Sequence, residues 1–321
     1  FKQKTAYEML RSLVGSEMCI RDSSMRLVTF LAGGGQPLPG ALTEDGIVPL
    51  WPEFASVLDL VRGGEEAMQR AQDLLARRPP SHSLRSVRLL APIPQPPRCL
   101  FAVGWNYLAH FHESSSQGRA QELPQHPTFF TKPTTVVAGP YDDLPYDPQL
   151  SPQWDYEAEL AVVIGRGGRS IPEAEAMAHV FGYMAANDIT ARDLQRRHGG
   201  QWLKGKAMDR SCPLGPCLVT ADEVPDPHAL VLRCWVNGQL RQEASTAQMV
   251  FTLPRLIAEL SWGMTLLPGD ILLTGTPEGV GFARNPPLFL QAGDEVVVSI
   301  DGIGELRNRL TPFPLSRYER L

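Results

Sequence analysis

The sequence predicts a mixed α+β fold that is mostly β, in which a small N-terminal α/β domain precedes a larger domain. Short apolar and β-branched runs punctuated by glycine and proline dominate the chain after residue 100. Few helical patterns interrupt them, and strand–helix units do not repeat at regular spacing, which argues against a Rossmann or barrel α/β fold. A proline-rich stretch, Leu90–Cys99, is typical of an extended linker between the two domains.

The first 24 residues have mixed charge and lack the apolar centre of a signal peptide. They resemble a translated sequencing-adapter segment, so we interpret 1–24 as a non-native leader and Met25 as the native start. The predicted domains then cover 25–90 and 91–321.

Strand and helix patterns alternate irregularly along these domains. In the first, Met25–Ala32 and Gly46–Trp51 are predicted strands, and apolar residues at helical spacing predict a helix over Glu65–Arg78. In the second, the predicted helices are Pro172–Val180 and Thr252–Leu260, and the predicted strands include Glu159–Ile164, Leu230–Val236, Asp270–Thr274 and Glu295–Ile300.

The composition is that of an ordinary globular protein. Of 321 residues, 43% are hydrophobic and 20% charged, and the net charge of −5 disfavours nucleic acid as a partner. No apolar run approaches the roughly 18 residues that a membrane span requires. Five cysteines without a CxxC pair favour reduced thiols and a cytoplasmic location.

Two glutamates at the start of a predicted strand form the strongest local feature. Glu157 and Glu159 are two residues apart, so their side chains project from one face of a strand. Such a pair repels unless a proton or cation lies between the carboxylates, and hard oxygen ligands suit Mg²⁺, Mn²⁺ or Ca²⁺. The alternative interpretation is the solvated face of an edge strand.

A third carboxylate lies downstream with two further polar residues. Asp188, Arg192 and Gln195 are spaced i, i+4 and i+7, which would place them on one face of a helical turn. This pattern is compatible with a surface salt bridge, or with a metal ligand beside two groups that bind a substrate carboxylate.

A glycine-containing segment then carries two lysines. Lys206 follows Gly205 and precedes an apolar run, so it is the candidate to neutralise a developing oxyanion, whereas Lys204 is expected to face solvent.

An upstream histidine–glutamate pair has helical spacing. His110 and Glu113 are three residues apart, and a glutamate in contact with a histidine raises its basicity and suits activation of a water. The competing interpretation is a zinc or cupin site that uses His110 and His112, but HExxH spacing is missing.

The loop Leu273–Gly281 is rich in glycine and directly follows a predicted strand. It lacks the Gly-Lys-Ser/Thr ending of a P-loop, so nucleotide phosphate is not its expected ligand. It is either a tight turn or a loop whose Thr276 hydroxyl and backbone amides bind a ligand carboxylate.

Taken in order, these segments resemble the fumarylacetoacetate hydrolase superfamily, in particular its acylpyruvase and 2-hydroxyhepta-2,4-diene-1,7-dioate isomerase-like branch. The resemblance runs from about Phe101 to Asn308. Its motifs are NYxxHxxE, FxKP, DYExEL, NDxxARD, QWxxGK, PLGP, NG, LxPGDxxxTGTPxGVG and GDxVxVxIxGIG.

The resemblance implies a β-roll catalytic domain, usually in a homodimer, and a complete set of site residues. Glu157, Glu159 and Asp188 would bind Mg²⁺ or Mn²⁺, and His110 with Glu113 would activate a water on a segment that closes over the site. The substrate would contact Lys206, Arg192, Gln195 and Thr276, with Lys132 as a further contact. No motif determines the segment Ser114–His126, which would shape the specificity pocket if it belongs to this lid.

The function that this resemblance implies is hydrolytic C–C cleavage of a small 2,4-dioxo acid of the acylpyruvate or fumarylpyruvate type, as in aromatic catabolism. The acid would chelate the metal, and His110 would direct water to the distal carbonyl. Alternatives on the same fold are decarboxylation of a 2-oxo acid, isomerisation or hydration of an unsaturated dioate, and ureidoglycolate-type lyase action. A catalytically inactive metal- or carboxylate-binding protein is the alternative from another class.

Overall fold

The computed structural model describes residues 24–115 and 122–320. The predicted leader therefore lies outside the described residues, except for Ser24. Five α-helices occur within the described ranges: α1 (Val57–Arg77), α2 (Leu108–Ser115), α3 (Arg192–Arg197), α4 (Leu203–Lys206) and α5 (Leu253–Ser261). Short 3₁₀ segments cover Leu84–Ser86, Thr134–Val136, Glu173–His179, Ala221–Glu223, Thr246–Gln248 and Gly281–Ala283.

Strands make up most of the regular structure. The first ten are β1 (Arg26–Ala32), β2 (Leu38–Thr43), β3 (Gly46–Pro49), β4 (Val87–Leu90), β5 (Leu100–Gly104), β6 (Thr128–Lys132), β7 (Val137–Ala138), β8 (Leu144–Tyr146), β9 (Trp154–Asp155) and β10 (Ala158–Ile164). The others are β11 (Gly168–Arg169), β12 (Val180–Asn187), β13 (Thr190–Ala191), β14 (Cys212–Thr220), β15 (Val231–Val236), β16 (Gln239–Ser245), β17 (Thr265–Leu266), β18 (Ile271–Leu273), β19 (Glu295–Ile300) and β20 (Gly304–Pro312). The predicted mixed, mostly β fold is confirmed.

Two large sheets organise these strands. The first has the order β3-β2-β1-β14-β12-β10-β18-β5-β6, with β4 paired to β1 and β7 paired to β14. The second has the order β16-β15-β19-β20-β8, and β11 with β17 and β13 with β9 form two small ladders. Because β1 pairs with β14, the region predicted as the N-terminal domain shares the first sheet with the rest of the chain.

At its central strand β10, the first sheet is buried on both faces. Along the fully buried strand β10, Ala161 and Val163 belong to the apolar cluster that includes the buried face of α1. Leu160 and Val162 face the opposite cluster, which contains residues of the second sheet such as Val298. This alternation is what a strand covered on both sides requires, and it fixes the direction of the residues just before β10.

The predicted helices are only partly correct. The first begins at Val57, eight residues before its predicted start, where the Ser56 side chain accepts a hydrogen bond from the Asp59 amide, and non-helical angles at Gly64 interrupt it. The predicted helix Pro172–Val180 is instead a 3₁₀ segment that leads into β12. Within the described ranges, no helix has both the length and the apolar character needed to cross a bilayer.

Candidate active site

Three buried carboxylates converge at adjacent ends of β10 and β12. Glu157 precedes β10, Glu159 lies within it, and Asp188 follows β12, which pairs with β10 through Ala158 and Asn187. The Asp188 amide donates to the Glu157 carbonyl at 2.9 Å, which fixes the two segments in register. One oxygen from each carboxylate lies within 4.8 Å of the other two.

The electrostatics of this cluster are uneven. Burial opposes ionisation of Glu157, but Lys206, Arg192 and His110 hold its pKa at about 2. Burial and the charges of Asp188 and Glu157 instead raise the pKa of Glu159 well above its usual range. A divalent cation would relieve this repulsion, and the donor set consists of the hard oxygens that Mg²⁺ or Mn²⁺ prefers, so the residues fit such an ion.

Three buried cations surround the carboxylates. The Nζ of Lys206 donates to Glu157 Oε2 and to Asp188 Oδ2, both at 2.7 Å. Lys132 donates to Asp188 Oδ1 at 2.5 Å, and Arg192 Nη1 lies 2.6 Å from Glu157 Oε1. Burial lowers the pKa of Lys206, but Asp188 and Glu157 raise it overall, so the ammonium stays charged.

A fourth carboxylate, Asp155, holds the arginine in place. It is fully buried and accepts from Arg192 Nε at 2.8 Å. It also accepts from the backbone amides of Gly281 at 2.7 Å and Phe282 at 3.0 Å. Asp155 therefore connects the arginine of α3 to the end of the glycine-rich loop.

The histidine–glutamate pair forms as its spacing predicts. Both residues lie on α2, and His110 Nδ1 is 2.7 Å from Glu113 Oε1. The second oxygen of Glu113 accepts from the Gly279 amide at 2.9 Å. Because His110 contacts Glu113 through Nδ1, its other ring nitrogen, Nε2, does not contact Glu113. His110 also lines the cavity described below.

The glycine-rich loop binds carboxylates of the chain itself. Its Gly275 amide donates to Glu159 Oε2 at 2.7 Å, in addition to the amides that contact Glu113 and Asp155. The Thr276 hydroxyl accepts from Gln242 Nε2 at 2.8 Å. The expectation that these amides bind a ligand carboxylate is therefore wrong for the amides of Gly275, Gly279 and Gly281, because internal carboxylates occupy them.

A cavity of about 510 Å³ opens beside the carboxylates. Its polar side contains Glu157, Glu159, His110, Arg192, Gln195, Lys206 and Thr276. Its apolar side is aromatic: the Trp202 ring centroid lies 4.9 Å from that of Trp105 and 5.3 Å from that of Phe130. Phe130 in turn lies under Lys206, whose Nζ is 5.1 Å from the ring centroid.

Some sequence-based expectations need correction. Asp188 does not share a helix face with Arg192 and Gln195, because Asp188 follows β12 and only the other two lie on α3. Lys132 does not line the cavity; it is fully buried against Asp188 rather than available to a substrate. Part of the predicted lid, residues 116–121, lies outside the described residues.

Other expectations fit the structure. Lys204 is exposed while Lys206 is buried. Among the described residues, the carboxylates Glu157, Glu159 and Asp188 form the one group of three with metal-ligand spacing, and His112 is not part of it. Three further site residues, Asp155, Gln242 and Trp202, were not predicted from the sequence, although Asp155 begins the DYExEL motif that contains the two glutamates.

Residues 99–311 match the family described as fumarylacetoacetate (FAA) hydrolase, C-terminal. The chain belongs to this fumarylacetoacetate hydrolase family. The match begins at the end of the proline-rich linker and contains every site residue discussed above.

Curated relatives of this family member are named as oxaloacetate tautomerases. The chain is 43% identical over 263 residues to oxaloacetate tautomerase YisK of Bacillus subtilis, which covers 79% of this chain and 86% of that protein. It is 42% identical over 272 residues to the mitochondrial oxaloacetate tautomerase FAHD2A of Homo sapiens, which covers 84% of each.

Solved structures of the family share the fold. A fumarylacetoacetate hydrolase from Exiguobacterium antarcticum is 39% identical with a TM-score of 0.78, and the match covers 90% of this chain and 100% of that one. A maleylpyruvate hydrolase from Sphingobium sp. SYK-6, solved with manganese(II) and pyruvate, is 32% identical with a TM-score of 0.72. The match covers 90% of this chain and 99% of that one.

Proposed function

We propose that this protein is a divalent-metal-dependent enzyme that interconverts the keto and enol forms of a small 2-oxo acid, with oxaloacetate as the leading substrate. The names of relatives at 42–43% identity support tautomerisation over the hydrolysis expected from the sequence. The reaction breaks a C–H bond at C3 and forms an O–H bond at the C2 oxygen, so it needs a base and an acid but no water.

The observation that carries the proposal is the placement of Lys206 and His110 in one cavity beside the carboxylates. Lys206 is a buried cation 2.7 Å from two carboxylate oxygens, and His110 is paired with Glu113. A 2-oxo acid bound between them would have a positive group for the C2 oxygen and an imidazole to carry the C3 proton.

Glu157, Glu159 and Asp188 would hold Mg²⁺ or Mn²⁺. When bound, the ion would supply Lewis-acid polarisation of the 2-oxo group. The related maleylpyruvate hydrolase, whose structure was solved with manganese(II) and pyruvate, supports this role.

The remaining residues of the cavity would bind and orient the substrate. Arg192 Nη2 is buried without a hydrogen-bond partner among the described residues, so it is available to the 1-carboxylate of the substrate. Gln195 and Thr276 line the same cavity and would contact the substrate from its other sides. Lys132 would act indirectly, because its contact with Asp188 holds that ligand in place.

The test follows the enol and keto forms of oxaloacetate by ultraviolet absorbance, with Mg²⁺, with Mn²⁺ and with chelator. We expect metal-dependent acceleration, loss of metal dependence in Glu157→Gln, and loss of turnover with retained metal binding in His110→Gln. No acceleration above the uncatalysed rate with either ion would overturn the proposal and leave the hydrolase and the non-catalytic protein as the alternatives.

A second candidate function, hydrolysis of a 2,4-dioxo acid, is favoured by one contact in the site and by one structural neighbour. The 2.7 Å contact between His110 and Glu113 suits activation of a water, and a maleylpyruvate hydrolase shares the fold. Acetylpyruvate distinguishes the two, since hydrolysis releases pyruvate and acetate whereas tautomerisation releases nothing. Release of CO₂ from oxaloacetate would instead indicate decarboxylation.

The homodimer and the cytoplasmic location stay predictions. Sedimentation equilibrium tests the first, and fractionation of source cells tests the second.

A further inference from the structure

A second arginine lines the cavity one helical turn after Arg192. Arg196 lies on α3 at i+4, so its side chain extends from the same helix face. The guanidinium carbon of Arg192 lies 4.5 Å from the ring centroid of Phe282, and that of Arg196 lies 5.7 Å from the same centroid. The two guanidinium groups therefore lie around a single phenyl ring on one side of the cavity.

The two arginines differ in their partners. Arg192 is buried and bound to Asp155 and Glu157, whereas Arg196 is exposed and has no ion pair or hydrogen bond within residues 24–115 and 122–320. Burial and the charge of Arg192 lower the pKa of Arg196, while the charges of Asp193 and Asp155 act in the opposite direction. The guanidinium remains charged at any physiological pH.

The other charges of the site largely compensate one another. Four buried carboxylates face three buried cations, so those cations already have internal partners. The carboxylates are Asp155, Glu157, Glu159 and Asp188, and the cations are Lys132, Arg192 and Lys206. Arg196 is the cavity-lining cation that forms no ion pair with a carboxylate of the described residues.

We propose that Arg196 binds the distal carboxylate of a 2-oxo dicarboxylic acid and thereby sets a preference for dicarboxylates over monocarboxylates. A substrate whose 2-oxo end lies at Glu157 and Lys206 has Arg192 beside that end, and Arg196 lies one helical turn further along the same cavity. A C4 dicarboxylate carries one carboxylate at each end, so one end would lie beside Arg192 and the other beside Arg196. This inference rests on the proposed function, and it specifies the substrate class.

The kinetic test compares oxaloacetate with 2-oxobutanoate, which has a methyl group in place of the distal carboxylate. Exchange of the C3 protons in D₂O is followed by NMR for both, with the uncatalysed rate subtracted. For Arg196→Gln we expect KM for oxaloacetate to rise on the order of 10- to 100-fold, as for loss of one charge-assisted hydrogen-bonded contact, with kcat within about 3-fold. The kcat/KM for 2-oxobutanoate should change less than about 2-fold.

Arg197→Gln is the matched control. Arg197 is also exposed and on α3, but it does not line the cavity, so its loss removes the same charge without the proposed contact. We expect both substrates to keep their wild-type parameters in this variant. Equal losses for oxaloacetate and 2-oxobutanoate in Arg196→Gln, or no loss for either, would overturn the proposal.

A binding measurement separates this inference from the proposed function. Malate and 2-hydroxybutanoate are a stable pair that differs by the same distal carboxylate, and both can be titrated calorimetrically into the Mn²⁺-loaded protein. We expect wild type to prefer malate, and Arg196→Gln to lose that preference. Absence of C3 exchange in wild type would overturn the function while this titration still tests Arg196; equal malate affinity in wild type and Arg196→Gln would overturn the role of Arg196.

Discussion

The Nζ of Lys206 lies 2.7 Å from Oε2 of Glu157, inside the cluster of carboxylates. The same nitrogen contacts Asp188 at 2.7 Å, so one buried ammonium is shared by two of the three candidate metal ligands. A divalent ion that binds these oxygens must share them with Lys206. The lysine therefore opposes metal binding electrostatically. Under the proposed function it would also supply the positive charge that the C2 oxygen needs.

Lys206→Met should separate these two effects. We expect tighter Mn²⁺ binding, on the order of 10-fold, because a competing positive charge is removed. We also expect turnover to fall by roughly 10²–10³-fold, as for removal of one oxyanion donor. Calorimetric Mn²⁺ titration and the oxaloacetate assay measure the two quantities. Lys204→Met, at an exposed position on the same helix, should change neither, and weaker Mn²⁺ binding in Lys206→Met would contradict the competition.

Metal affinity should rise with pH. Burial, Asp188 and Glu157 raise the pKa of Glu159, so its carboxyl group binds a proton that a metal ion must displace. Below that pKa the proton competes with the ion, so the logarithm of the association constant should increase with pH with a slope approaching about 1 and level off above it. Titrations in buffers of different ionisation enthalpy would measure the released proton. Affinity that is independent of pH would contradict this linkage, and Glu159→Gln should remove the slope while it weakens binding.

Local sequence periodicity predicted the parts of the site that depend on neighbouring residues. The two-residue spacing of Glu157 and Glu159 and the three-residue spacing of His110 and Glu113 each placed a pair correctly, because strand and helix geometry alone sets those distances. Mostly β architecture was predictable for the same reason, since residues 160–164 of the buried strand β10 are a continuous apolar run in the sequence.

Local periodicity could not predict contacts between segments that are distant in the sequence. Asp188 joins the glutamates through pairing of β10 with β12, not through a helix face, and Lys132 reaches Asp188 across 56 residues of sequence. Asp155 accepts from the Gly281 amide across 126 residues, which no short pattern encodes. The family resemblance named the three carboxylates that converge in the structure, but it did not supply these contacts.

Asp155→Asn should destabilise the fold more than loss of a surface charge does. The buried carboxylate pairs with Arg192 and accepts from three backbone amides, and breaking such a buried pair costs about 3–5 kcal/mol. Asp301→Asn is the control, because Asp301 pairs with Arg233 at the surface, where a pair contributes about 0–1 kcal/mol. Urea unfolding measures both free energies. Equal destabilisation by the two substitutions would show that the buried contacts of Asp155 stabilise the fold no more than a surface ion pair does.

Gly104 sets the position of the aromatic wall of the cavity. A Cβ atom at residue 104 would lie 2.2 Å from Cζ3 and 2.5 Å from Cη2 of Trp202, so Gly104→Ala must displace the indole. Trp202 packs against Phe130, whose ring lies under the ammonium of Lys206, and the displacement should therefore reach Lys206.

For Gly104→Ala we expect kcat to fall on the order of 10-fold, with a stability loss of about 1–3 kcal/mol from overpacking. Trp202→Phe removes the atoms that clash and should itself have a smaller effect. The double variant Gly104→Ala/Trp202→Phe should then recover most of the lost activity, because its alanine meets a smaller ring. A double-mutant cycle on kcat and on the free energy of unfolding measures this coupling. Additive losses in the double variant would mean that Gly104 acts on something other than Trp202, since a steric clash between the two requires their effects to be coupled.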